Sequence, residues 1–154
     1  MTVTWRTALS YALAVAVGAW LVGAGVDLAW SVAAGGLGAW FSLWVADPLV
    51  HALTAVTAFA LTLARRIDSP LPTWRVPLVD GSLYLLVLLV GNGLAAWRTG
   101  AESPVDDAFV MASFALLGLQ LPAAWVLSAW RAHHLRLVVG RSGGGWSAAR
   151  DTRR

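Results

Sequence analysis

The chain contains no cysteine. Disulfides, thiolate metal sites and cysteine nucleophiles are therefore excluded, and the redox compartment leaves no trace. Lysine is missing as well, since all eleven basic residues are arginine. That excludes a Schiff-base lysine and a phosphate-loop lysine. Charge of either sign is scarce: charged residues make up 12% of the chain, against roughly 25% in soluble domains. What remains is 58% hydrophobic, and the few charges stand between long uncharged runs.

Those runs cover residues 7–26, 28–46, 48–64, 81–97 and 108–130. A helix needs about 20 apolar residues to cross about 30 Å of hydrocarbon. We therefore expect an all-α integral membrane protein. It is read as a helical bundle of four transmembrane helices over the first, third, fourth and fifth runs. The run 28–46 is ambiguous. It holds AAGGLGA at its centre and three of the ten tryptophans, Trp30, Trp40 and Trp44. Tryptophan favours the headgroup level, so this segment is expected to be re-entrant or interfacial, with a fifth span as the alternative. The bundle is placed at 1–135. The stretch 136–154, rich in Gly, Ser and Arg, is expected to be a flexible basic tail.

Orientation follows from where the arginines fall. The linker after the third run carries Arg65, Arg66 and Arg75, and the tail carries Arg131, Arg136, Arg141, Arg150, Arg153 and Arg154. The connection 98–107 has Arg98 beside Glu102, Asp106 and Asp107. The tail is thus expected in the cytoplasm of a cell-membrane, multi-pass protein, with 98–107 outside. Arg65, Arg66, Arg131 and Arg136 read as a lipid-facing basic cluster at anionic headgroups. The arginine-only basic set resembles membrane proteins of GC-rich prokaryotes, a likeness of composition that implies no activity. The first run, with Arg6 ahead of it and small residues near Ala19 and Gly23, also has the outline of a signal peptide. We expect an uncleaved anchor.

Each acid ahead of a run reads first as a helix cap. Asp27, Asp47, Asp80 and Asp107 stand immediately before apolar runs, where a carboxylate accepts from free backbone N–H groups and complements the helix dipole. Pro48 after Asp47 suits a first helical turn. A proton relay of paired carboxylates is not supported. Three polar side chains remain inside the spans: His51, Asn92 and Gln120. By the expected topology His51 lies roughly 6 Å and Asn92 roughly 8–9 Å below the outer surface. With Asp47 just above, the three form a candidate outward-facing polar pocket. The competing assignment makes His51 a partner of a carbonyl or headgroup and Asn92 an interhelical bond. Gly118, Gln120 and Pro122 mark a candidate kink, because Pro122 cannot donate to the carbonyl of Gly118.

Motifs for chemistry are missing. Adjacent His133 and His134 point about 100° apart on a helix and suit one metal poorly. His51 has no opposed histidine for haem. GGLG and SGGG follow no strand, and no zinc spacing or nucleic-acid module is present. No catalytic residue, metal or cofactor is expected. The bilayer itself, other membrane subunits or further copies of the chain are the expected partners, with no nucleic acid. Two functions compete: a non-catalytic subunit or scaffold of a membrane assembly, or a small oligomeric transporter or channel-like protein built on the polar pocket.

Overall fold

Thr4 opens the first helix of the computed structural model, which describes residues 4–67 and 74–133. Its hydroxyl accepts from the Thr7 amide, and the helix α1 then runs unbroken over Trp5–Ala34. Nothing in that stretch stops a helix: it has no proline, and a lone aspartate does not end one. Asp27 therefore sits inside α1 rather than capping a second helix, which corrects the expectation above. The stop comes at Gly35, whose φ of 73° only glycine adopts without strain. The Gly36 amide returns to the Ser31 carbonyl at 2.8 Å and the Gly35 amide to Val32, closing a Schellman cap.

The ambiguous run 28–46 is thus divided. Its first part completes α1, and its second forms the short helix α2, Leu37–Ala46, whose last five residues are wound as a π-helix. Ten residues rise only about 15 Å, too little for a span. α2 instead folds back on α1: the Trp40 indole N–H donates to the Ala24 carbonyl at 2.9 Å and that of Trp44 to Asp27 at 2.7 Å. A break at Asp47 then leads into α3, Pro48–Ile67.

Helix α4, Arg75–Arg98, begins well before the apolar run that marks it in the sequence. Pro77 falls in its first turn, where a missing N–H costs nothing. Asp80 consequently lies in the second turn, and its expected role as a cap is not what the fold uses. Gly100, at φ 76°, ends the helix with a second Schellman pair, Ala101 to Ala96 at 3.0 Å and Gly100 to Trp97 at 3.1 Å. α5 covers Pro104–Leu117, with Pro104 leading and Asp106 and Asp107 in the first turn. Asp107 complements the dipole there but does not occupy the cap position, which is Ser103.

A 59° bend separates α5 from α6, Gln120–His133. Pro122 has no N–H for the Gly118 carbonyl, and Leu119 adopts a left-handed φ of 60°, a conformation that costs a leucine about 1–2 kcal/mol. The expected kink at Gly118, Gln120 and Pro122 is present, sharpened by a residue the sequence does not flag.

The described residues are helical throughout, with no strand among them. α1, α3 and α4 are each long and apolar enough to cross a membrane, and the bent α5–α6 pair makes a fourth candidate. Neighbouring helices alternate in direction. Arg66 lies 5.1 Å over the Trp5 ring, whereas His51 faces Trp20 at 6.1 Å. Arg65, Arg66, Arg75 and Arg131 thereby gather at one end of the bundle. The tail 136–154, with Arg136, and His134 just before it, lie outside the described residues.

Candidate functional site

The two ends of the bundle are built differently. Towards the arginine end, small residues on α1 let the helices approach closely. Ala12, Val15, Ala16 and Ala19 are fully buried, as are Leu61 on α3 and Ala124 on α6. Gly18 faces Leu127 of α6 at close range: a methyl group on it would lie 2.6 Å from that leucine's tip. Within this packed half sits a buried polar cluster. Arg65 reaches from the last turn of α3 to Asp80 on α4 at 2.6 Å. The other Asp80 oxygen accepts from the Tyr11 hydroxyl of α1, which also lies 3.4 Å from the Ser128 carbonyl on α6. One carboxylate of α4 therefore joins α1 and α3, and Tyr11 extends the link to α6.

This changes the reading of the arginines. Arg65 is only 8% exposed and does not face lipid, because Asp80 supplies a charge partner that a headgroup would otherwise supply. Arg66 is exposed and stacks on Trp5. Arg131 is half-buried and donates to Ser10 Oγ at 3.2 Å. The signal for Arg65–Asp80 was legible in principle. Consecutive antiparallel spans return to the same depth at their linker, so a basic residue ending one and an acid opening the next can meet.

Towards the other end the helices part. α1 stays beside α3 and α4 beside α5, while α6, set at 59° to α5, packs on α1 through Leu127 against Gly18 and Arg131 on Ser10. Between the pairs lies a cavity of about 1010 Å³. Its polar lining comes from Asp27 of α1, Asp47 at the α2–α3 break, Thr54 and Thr57 of α3, Asn92 and Tyr84 of α4, and Gln120 of α6. Gln120 closes its floor by donating to the Tyr84 hydroxyl at 2.7 Å, directly above the packed half. The walls are mainly apolar, with Trp30, Trp44 and Phe114 among them. An apolar cleft with a few convergent polar groups is the usual form of a small-molecule site, typically about 300–1,000 Å³.

Of the three residues expected to form a pocket, Asp47 and Asn92 do line this cleft and His51 does not. His51 faces a separate hollow of about 300 Å³ beside Trp20, and its Nε2 bonds the Val45 carbonyl at 3.0 Å. Asn92 donates to the Leu88 carbonyl of its own helix at 2.8 Å, rather than across helices. Asp47 caps α3 as expected: its Oδ1 accepts from the Leu49 amide at 2.8 Å. Asp27, Tyr84 and Gln120 join the site because α2 folds back and α5–α6 bend, neither of which periodicity reveals. Among the described residues no three His, Asp or Glu side chains converge as a metal ion would need. Comparison of the chain with protein-family models, with curated proteins and with solved structures found no match.

Proposed function

We propose that this is a four-span, non-enzymatic protein of the cell membrane, of transporter type, which takes up a small molecule in an outward-open cleft and works as a homo-oligomer. The observation that carries this reading is the cleft itself: about 1010 Å³ wide at one end of the bundle and closed below by Tyr84, Gln120 and the packed half. The arginine-rich end is placed in the cytoplasm by the positive-inside rule, which turns the open end outward. α2 then lies at the outer headgroup level with Trp40 and Trp44, beside Trp30 of α1, and adds no fifth span. Release to the cytoplasm requires the Arg65–Asp80–Tyr11 cluster to part, and four spans leave little room for a path, hence the oligomer.

The absence of native cysteine makes the test direct. Single substitutions Ser103→Cys and Asn92→Cys are expected to react with an impermeant methanethiosulfonate applied to intact cells. Leu61→Cys, in the packed half, and Ser147→Cys, in the tail outside the described residues, are expected to resist. Reaction at position 147 without reaction at 103 would invert the orientation. Silence at position 92 beside reaction at 103 would mean that water does not enter the cleft, and the transport reading would fall.

A second reading, a non-catalytic subunit or scaffold, has one observation in its favour. α1 is about 45 Å long and carries the α2 hairpin beyond a bilayer's hydrocarbon thickness, with Trp30 75% exposed and Leu37 and Phe41 more than half exposed. A partner subunit seated on that hairpin would cover it.

A further inference from the structure

We propose that the cleft selects organic cations with an apolar body. The proposal rests on the outward-open cleft and adds to it the charge and shape of the occupant. Two carboxylates, Asp27 and Asp47, line the cavity, and none of its lining residues is Arg or His. An anion entering it would meet two negative charges and no compensating positive one. Away from bulk water, where the dielectric is low, that preference is amplified.

The carboxylates are positioned rather than consumed by their structural bonds. Asp27 Oδ2 accepts from the Trp44 indole, and Asp47 Oδ1 accepts from the Leu49 amide. A carboxylate offers about four acceptor positions, so both retain capacity toward a ligand. Four aromatic residues from four helices, Trp30, Trp44, Tyr84 and Phe114, also line the cavity. Aromatic faces attract a cation and give its apolar groups surface to cover. Carboxylates, aromatic rings and apolar walls around a cavity of this size together describe the surroundings of a bulky monovalent cation. A small inorganic ion would leave most of the cleft unfilled.

The test uses the full chain in nanodiscs and three probes of similar bulk: tetraphenylphosphonium as cation, tetraphenylborate as anion and triphenylphosphine oxide as neutral compound. Binding is measured by equilibrium dialysis, with empty nanodiscs subtracted. The cation is expected to bind and the anion not to bind. Asp27→Asn and Asp47→Asn are each expected to weaken the cation by about tenfold or more. Asparagine keeps an acceptor for Trp44 at position 27 and caps a helix nearly as well as aspartate at position 47, so these variants remove charge while preserving the fold. Circular dichroism and a monodisperse elution profile check that they do. Equal binding of the cation and the neutral compound, unchanged in both variants, would overturn the charge selection while leaving the cleft as a binding site. No binding of any probe would overturn the cleft reading and this proposal with it.

Discussion

Replacing Asp80 with alanine is expected to destabilise the bundle by about 3–5 kcal/mol, the usual cost of leaving one member of a buried ion pair without its partner. The burial is complete enough to expect the upper part of that range. Asp80 is 1% exposed and Arg65 8%, and the variant would also leave the Tyr11 hydroxyl without its carboxylate acceptor. Unfolding by sodium dodecyl sulfate from mild detergent micelles measures the loss. Two companion variants separate the charge from the packing. Asp80→Asn keeps an acceptor for Tyr11 but leaves the Arg65 charge uncompensated, and is expected to lose most of the same stability. The double variant Arg65→Met with Asp80→Leu removes both charges, and is expected to recover most of it, since apolar replacement of a buried pair is often neutral or stabilising. If the double variant is as unstable as Asp80→Ala, the loss does not come from the stranded Arg65 charge but from the bonds that Asp80 makes to Arg65 and Tyr11.

The second large effect is expected at Gly81, next to Asp80. This glycine is buried, and a methyl group added there would overlap the indole of Trp125 on α6. An indole cannot bend at its tip as a leucine can, so clearing the overlap would mean swinging the whole half-exposed ring outward. Gly81→Ala is therefore expected to cost about 1–3 kcal/mol, the range for forced overpacking, and Gly81→Val more. A compensating Trp125→Leu should return much of that stability, because the two positions are in direct contact and their effects should not add. Thermal unfolding of the two single variants and the double variant gives the coupling. Additive losses would show that α4 and α6 do not press together at this point.

Both predictions concern residues whose importance depends on neighbours from elsewhere in the chain. Asp80 and Gly81 read locally as a cap and a small helix residue. Asp80 becomes a buried ion-pair partner because α3 and α4 are antiparallel and meet at their linker. Gly81 becomes a contact point because α6, some forty residues on, lays Trp125 across it. The same holds at the cleft. Asp47 was recognisable as a cap because the residues it caps follow it directly. Asp27 differs: an acid between two apolar runs looks like a boundary, while the backbone there continues as helix. Depth alone puts His51 level with the cleft, but depth does not say which face of a helix a side chain occupies, and His51 faces the hollow beside Trp20.

The sequence by itself determined the class of this protein. Long apolar runs and scarce charge point to helices long and apolar enough to cross a membrane, where a backbone must satisfy its hydrogen bonds internally, and the described residues hold three such helices, or four with the bent pair. Local chemistry also settled the Asp47–Pro48 start of α3 and the bend near Pro122, each of which depends on a few adjacent residues. Tertiary structure alone decided that one end of the bundle is packed and the other cleft. It also decided that Arg65 turns inward to Asp80, and that Asp27, Asp47, Asn92 and Gln120 share one cavity. Those outcomes depend on helix rotation and on the angle between α5 and α6, and both are set by long-range packing that no local window of residues contains.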